Sequence, residues 1–336
     1  MFERIFAIVG VGAVLLSLAQ PVTSAAQITP DMIDAAKREG EVMFYGAITI
    51  NSSKAIGDAF EKRCGIKLRH WRGDATELIN RSLAEARAGK PGFDVTLGNE
   101  VVMTALDEKN LFAVFDPPAA KNYPKQFLDP SKKMTSWRVL PYGINYNYQM
   151  LKASEAPKGW EELLEPKWKG KFALANPGIH VTTLQFVLNL DKLLGPKWLK
   201  VVEGWAKQEP RLGRSLADTI QPLTAGEVPV AIGYLKDKFQ YAGPIEYVRM
   251  NKYLASLSFV AIHRQAPHPN AARLFTDFFL GAEAQRIFGN LGEYVFHPEV
   301  DHKFKKDVKD DQIVVMRLPS KEELESSSKK FREMFR

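Results

Sequence analysis

Polar residues cluster at several turns that follow a short apolar run and precede a helical pattern, at 46–53, 73–77, 98–100 and 176–183. A helix start that follows a strand leaves backbone N–H groups pointing outward, and such groups bind small anions. A basic side chain nearby would meet the remaining charge of an oxyanion or a carboxylate. The candidate ligand-binding residues are Thr49, Asn51, Ser52, Asp74, Thr76, Asn99, His180, Thr182 and Thr183, with Arg138 or Arg72 as the cation and Tyr142, Tyr146 and Tyr234 as lining aromatics.

Each candidate also has a purely structural interpretation. Asn51, Ser52 or Ser53 can cap the helix that follows them, and a cap uses the same N–H groups as an anion site. Asp74 with Glu77 has the spacing of a capping box. Tyrosines near a crossing segment are as often part of a hinge core as part of a binding surface. The residues alone leave these alternatives open.

The sequence offers little for catalysis or for nucleic-acid binding. It contains no G-x-S-x-G or H-E-x-x-H motif, and neither a dinucleotide fingerprint nor a phosphate-binding P-loop occurs. The six histidines show no metal-ligand spacing, and basic residues are dispersed along the chain. We therefore expect a binding protein without a cofactor and without a nucleic-acid partner, and an exported enzyme on a similar frame is the alternative.

Strand and helix patterns alternate from residue 41 to residue 115, as a doubly wound α/β sheet requires. A second unit runs from 159 to about 250 and contains an apolar strand at 172–175 and another ending at Tyr234. Between these strands, the turn Asn176-Pro177-Gly178 opens a helix, which predicts that it forms one wall of a cleft.

Two strand-like segments interrupt the alternation, at 138–148 and 257–262, and are predicted to cross between two lobes. The fold class expected is therefore α/β, with two doubly wound lobes and a cleft between them. The predicted boundaries are 27–140 for the first part of lobe 1, 141–257 for lobe 2, and 258–336 for the return to lobe 1 and the C-terminal helices.

Residues 1–26 have the features of a cleaved signal peptide: a short charged start, an apolar run and small residues at Thr23 to Ala26. A membrane anchor is the alternative, but the apolar run is shorter than the roughly 20 residues that span a bilayer. The single cysteine, Cys64, permits no intramolecular disulfide, and the formal net charge of +7 is compatible with an anionic ligand.

Three segments resemble a known family: WEELLEPKWKGK at 160–171, LTAGEV at 223–228 and HPNAARLF at 268–275, with FYG at 44–46 and YN at 146–147. The chain is similar to periplasmic solute-binding proteins of ABC importers, in the type II branch that includes ferric-iron, thiamine, polyamine and phosphonate binders. The resemblance implies a monomer that captures a small ligand between two lobes and docks on a membrane permease driven by an ATPase. A sensor-coupled binding protein would share the cleft and differ in its docking partner.

The resemblance also implies an alternative ligand, Fe(III), since ferric members hold the metal with adjacent tyrosines, a histidine and a glutamate. Tyr234 takes the place of one tyrosine, and Glu100 or Asn99 falls near the glutamate position. Leu235 stands where the second tyrosine would be, and Ile48 and Thr49 stand where the histidine would be. An anionic metabolite or oxyanion is therefore the first expectation, with Glu100 as a further candidate ligand-binding residue, and Fe(III) the second.

Overall fold

A computed structural model of the chain describes residues 29–125, 128–304 and 306–336. The predicted signal peptide at 1–26 lies outside these residues. Within the described ranges, none of the helices combines the length and the apolar character that crossing a membrane requires.

Helices and strands alternate along most of the described chain. The helices are α1 Pro30–Glu39, α2 Ile50–Cys64, α3 Ala75–Arg87, α4 Glu100–Asp107, α5 Val181–Leu188, α6 Asp191–Leu194, α7 Trp198–Lys207, α8 Ala217–Thr224, α9 Asp237–Gln240, α10 Pro269–Leu280, α11 Ala282–Asn290 and α12 Lys321–Met334. The strands are β1 Glu41–Gly46, β2 Lys67–Arg72, β3 Val95–Asn99, β4 Thr135–Asn147, β5 Phe172–Ala175, β6 Arg211–Gly213, β7 Val230–Tyr234, β8 Ile245–Tyr247, β9 Tyr253–Ile262, β10 Tyr294–Val295 and β11 Ile313–Val315.

The first unit is built on the strands β2, β1 and β3, which run parallel to one another. β9 pairs antiparallel with β3, and β4 pairs antiparallel with β9. Apolar side chains of α1, α2, α10 and α11 cover one face of this sheet, and those of α3 and α4 cover the other. Both faces of this sheet are therefore covered, as in the predicted doubly wound arrangement, while β2 at its edge keeps exposed charged residues.

The second unit is built on β7, β5 and β6, which are also parallel. The later half of β4 pairs antiparallel with β7 and with β8. Side chains of α5, α7 and α12 pack on one face of this sheet, while those of α8 pack on the other. The expected α/β fold with two doubly wound units is therefore confirmed.

β4 and β9 are the two crossing segments that the sequence predicts. Residues 135–141 of β4 pair with β9, and residues 142–146 pair with β7. In β9, Tyr253 to Ala255 pack with the second unit, while Val260 and Ile262 pack with the first. Each of the two strands thus begins in the core of one unit and ends in that of the other.

The local helix signals are partly confirmed. Asp74 and Glu77 form the predicted capping box at the start of α3. The cap of α2 was predicted wrongly, because Thr49 rather than Asn51, Ser52 or Ser53 precedes the helix and accepts the Ser52 N–H. Around Leu163 the spacing of Trp160, Leu163 and Leu164 predicts a helix that ends at Pro166, but the chain forms two short 3-10 turns there, Glu162–Leu164 and Pro166–Trp168.

The C-terminal helix α12 packs on the second unit, whereas α10 and α11 pack on the first. Phe331 and Phe335 enter the second core, and α12 contacts α5. Ser328 Oγ donates to the Gly178 carbonyl at 2.9 Å, and the Arg332 backbone lies where a Cβ on Gly178 would be. The predicted cleft wall at Asn176-Pro177-Gly178 is therefore covered by α12, and only the residues after it reach the cavity described below.

Candidate ligand-binding site

A cavity of about 710 Å³ lies between the two units. The first unit contributes the turns before α2, α3 and α4, and the second contributes the turns before α5, α8 and α9. Strand ends that meet at one edge of a sheet place these turns together, as open α/β folds do at their ligand sites. The predicted candidates on its walls are Thr49, Asp74, Thr76, Asn99, Arg138, His180, Thr182 and Tyr234, with Arg72.

The helix starts at this cavity are largely capped by the chain's own side chains. The side chains of Thr49, Asp74, Asn99 and His180 precede α2, α3, α4 and α5, and each accepts the backbone N–H of the residue three positions later. The structural interpretation of these four residues is therefore correct, and fewer N–H groups than predicted are left for an anion. Side-chain charge must then carry more of the recognition.

One side-chain hydrogen bond connects the two units at the cavity wall. Asn99 Nδ2, at the start of α4, donates to Thr182 Oγ1, in the first turn of α5, at 3.0 Å. Both residues are buried. This bond forms only while the two units are close together. If the units separated, both groups would form hydrogen bonds with water instead.

His180 enters this wall as a neutral group. Burial lowers its pKa to about 4, and its Nδ1 lies 2.8 Å from Thr183 Oγ1 and accepts the Thr183 N–H. It therefore orients the start of α5 and supplies no positive charge at neutral pH.

A buried charge cluster forms the cavity floor where β4 meets the loop after α11. The Glu293 carboxylate, fully buried, is ion-paired with Arg138 and with Lys236, whose Nζ lies 3.1 Å from Oε1. Gln240 Nε2 donates to the same oxygen at 2.7 Å. Burial opposes ionisation of Glu293, but Arg138 and Lys236 outweigh it and hold the pKa at about 2. Arg138 Nε has no hydrogen-bond partner among the described residues.

Asp237 lies beside this cluster and is 4% exposed. Its Oδ2 accepts the Tyr234 N–H at 2.9 Å, and within the described ranges it forms no ion pair. Burial raises its pKa to about 7. The cavity therefore holds a carboxyl group that changes charge near neutrality.

Tyr234 and Glu100, the residues predicted for an iron site, are not brought together at this cavity. The Tyr234 hydroxyl lies 3.4 Å from that of Tyr142, and burial raises its pKa to about 12. Glu100 is not among the cavity-lining residues, and burial raises its pKa. In the described parts of the chain, no group of three or more His, Cys, Asp or Glu side chains is placed to hold a metal ion. Of the oxygen ligands that Fe(III) favours, the cavity walls offer the phenols of Tyr234 and Tyr241 and the carboxylates of Asp74, Glu77, Asp218 and Asp237, without the predicted Glu100.

Five other candidates also lie outside the cavity walls: Asn51, Ser52, Tyr142, Tyr146 and Thr183. Tyr142 is fully buried in the second core, and Thr183 is buried against His180. Asn51 is exposed in the first turn of α2, and the Ser52 hydroxyl is buried 2.9 Å from Thr49 Oγ1. Tyr146 pairs with Val230 inside the second sheet and is buried there. Position along a turn or strand does not show which way a side chain points, so sequence reasoning included them.

Two parts of the cavity wall were not predicted from the sequence: the residues around the start of α8 and those that follow β7. The signal was present, because these residues also follow a buried strand or begin a helix. The additional polar residues are Arg214, Ser215, Asp218, Gln221, Lys236, Asp237, Gln240 and Tyr241.

Comparison with known proteins agrees with this architecture. Residues 55–313 match the family model described as bacterial extracellular solute-binding protein. The chain is 27% identical to an Fe(3+)-binding periplasmic protein from Serratia marcescens over 173 residues, which is 50% of this chain and 50% of the relative. The chain thus spans about half the length of that curated relative.

Two solved structures are similar over 88% of this chain, each at 19% identity. AfuA from Actinobacillus pleuropneumoniae, with exogenous fructose-6-phosphate bound, has a TM-score of 0.72 over 96% of its length. Iron-bound HitA from Pseudomonas aeruginosa has a TM-score of 0.69 over 99% of its length. The fold is therefore that of type II periplasmic binding proteins, and the chain belongs to the family of bacterial extracellular solute-binding proteins.

Proposed function

We propose that this chain is the periplasmic solute-binding component of an ABC importer. It is exported by a cleaved signal peptide, captures a small solute as a monomer, and delivers it to a membrane permease driven by an ATPase. The observation that carries the proposal is the cavity that both units line, in a chain of the solute-binding family. Transport binding rather than catalysis also agrees with the names of its relatives.

The cleft works in this proposal by closing on its ligand. β4 and β9 act as the hinge, because each passes continuously from one core to the other. A solute that contacts both units favours the closed arrangement by the extra contacts it makes there. The bond between Asn99 and Thr182 marks where the two rims meet.

The ligand in this proposal carries an anionic group that binds at Arg138. Arg138 is 5% exposed and lines the cavity, and its Nε has no hydrogen-bond partner among the described residues. A buried donor without a partner is costly, so an oxyanion there would gain a charge-assisted hydrogen bond. Fe(III) is the second candidate, supported by the Serratia relative's name.

Native mass spectrometry of protein purified from its own periplasm, with metal analysis, tests the ligand. An adduct with an anionic group and without iron is the expected result, whereas stoichiometric iron would favour the second candidate. Small-angle scattering should show compaction when the identified solute is added to stripped protein. Absence of compaction with the copurified solute and with a broad panel of solutes would contradict capture by closure.

Arg138→Gln provides the matching test of the site. We expect at least a tenfold loss of affinity for the solute. Arg249→Gln is the control, because Arg249 is also ion-paired with carboxylates but does not line the cavity. Equal affinity of the two variants would place the anion elsewhere.

A further inference from the structure

Asp237 is a nearly buried carboxyl group on the wall of a solvent-accessible cavity, and none of the described residues forms an ion pair with it. One oxygen, Oδ2, accepts the Tyr234 N–H. No hydrogen bond from a described residue reaches Oδ1. An ionised carboxylate in such a place is unfavourable unless a positive group approaches it. A group of this kind that also faces a binding cavity points to a ligand.

The charged and polar side chains around Asp237 form their bonds with other groups. Lys236 directs Nζ at Glu293 and at Gln240 Oε1, and Arg138 is ion-paired with Glu293. Asn145 Nδ2, from β4, donates to the Tyr234 carbonyl instead. The hydroxyl-bearing neighbours Tyr142, Tyr234 and Tyr241 keep raised pKa values and are neutral, mainly because of burial. The charge of Lys236 lowers the pKa of Asp237, but within residues 29–125, 128–304 and 306–336 no cation is ion-paired with this carboxylate.

The cavity as a whole has balanced charge. Four basic and four acidic side chains line it: Arg72, Arg138, Arg214, Lys236, Asp74, Glu77, Asp218 and Asp237. A solute with one charge of each sign would preserve this balance and could meet complementary groups at both ends. A simple anion would leave Asp237 without a cation, and a simple cation would leave the Arg138 Nε without a hydrogen-bond acceptor.

We propose that Asp237 is a cation-binding subsite next to the anion site at Arg138, and that the ligand is a small zwitterion with an ammonium or amidinium group and an oxyanion. This rests on the proposed function, because it assigns the two charges of the solute captured in that cavity. The raised pKa of Asp237 supports it, since an ammonium group would compensate for the desolvation that now disfavours the ionised form.

Two single-charge probes test the subsite directly. Ethylammonium chloride represents the cationic end and sodium sulfate represents the anionic end, and neither probe titrates between pH 5.5 and 8. Binding is followed by backbone amide shifts of Gly233 and Tyr234 in the full-length mature protein at pH 8. We expect saturable ethylammonium binding in the wild type, tighter in the presence of sulfate, and at least tenfold weaker in Asp237→Asn.

Glu246→Gln is the matched control, because Glu246 is also a partly buried carboxylate but pairs with Lys238 and Arg249 away from the cavity. It should bind ethylammonium as the wild type does. Lowering the pH to 5.5 should weaken binding to the wild type by about thirtyfold, since a carboxyl with a pKa of about 7 is then mostly protonated. This measurement needs no variant, so it remains decisive if Asp237→Asn folds poorly.

Two outcomes would overturn the subsite: no saturable ethylammonium binding by the wild type, or equal binding by wild type and Asp237→Asn. The proposed function fails in a different way, when no solute compacts the protein. A copurified solute that compacts the protein, lacks a cationic group and binds Asp237→Asn as tightly as the wild type would refute the subsite and leave solute capture intact.

Discussion

The substitution Asp237→Asn should stabilise the ligand-free protein at alkaline pH. The side chain is 4% exposed and forms no ion pair within the described ranges, and burial raises its pKa from 3.8 to about 7. Each pKa unit corresponds to about 1.4 kcal/mol of differential interaction, so the ionised carboxylate lowers the free energy of unfolding by up to about 4 kcal/mol. Asparagine keeps an oxygen that can accept the Tyr234 N–H and removes the charge.

The sign of the pH dependence follows from the two states. Below pH 4 the Asp237 carboxyl is protonated in both the folded and the unfolded chain, so it has no effect. Between pH 4 and pH 7 the unfolded chain releases the proton while the folded protein keeps it, so stability falls as the pH rises. Above pH 7 both states are ionised and the full cost remains. The variant should lack this decline.

Urea unfolding of wild type and Asp237→Asn, measured at intervals from pH 4 to pH 8.5, gives the difference directly. The two free energies of unfolding should agree near pH 4 and separate as pH rises, with the variant more stable. Glu246→Gln should behave oppositely and lose stability above pH 5. Burial opposes the ionisation of Glu246, but hydrogen bonds from Lys238 and Arg249 outweigh it and lower the pKa. Parallel wild-type and Asp237→Asn curves over the whole range would refute the reasoning.

Two further predictions concern the scaffold. Gly143→Ala should destabilise the protein by about 1–3 kcal/mol in urea unfolding. The added Cβ would lie 2.2 Å from Leu235 Cδ2, which is buried in the second core. Gly159→Ala, where a Cβ meets nothing within 4 Å, is the control, and equal stability of the two variants would contradict the assigned clash. Deletion of residues 320–336 should lower the unfolding midpoint and weaken solute binding, because α12 packs Phe331 and Phe335 into the second core and covers the turn that leads to His180. Unchanged binding by a stable deletion variant would show that α12 does not position that turn.

Much of the architecture could be predicted because apolar periodicity and turn residues agree with the final fold. The apolar runs became β5, β7 and β9, and the interruption at 138–148 became the crossing strand β4. Caps were less predictable, because several neighbouring residues at the start of α2 can accept the same N–H group. Thr49 takes the role since its extended backbone puts Oγ1 near the Ser52 N–H. The residue that caps a helix therefore depends on local backbone geometry, which the amino-acid composition does not determine.

The cavity walls were predictable where a strand end and a helix start coincide, as at Asp74, Asn99 and Thr182. The charge cluster was not, because it joins residues that are far apart in sequence. Arg138 meets Glu293 only after β4 and the loop following α11 come together, and Lys236 arrives from the other unit. No local pattern reports a long-range ion pair of this kind. The turn at Gly178 was misplaced for a related reason, since α12 covers it from the far end of the chain.

The position of the charges suggests how solute recognition and closure are connected. The turns of the first unit at the cavity are capped, so they supply shape and a hydrogen bond, and their charged side chains Arg72, Asp74 and Glu77 are not buried. The buried charges lie on β4, on the turn after β7 and on the loop after α11, where the two units join. Glu293, from that loop, pairs with Lys236 and Gln240 of the second unit. A solute whose charges pair with Arg138 and Asp237 therefore acts on the same contacts that connect the units. The free energy gained by this charge pairing favours the closed arrangement.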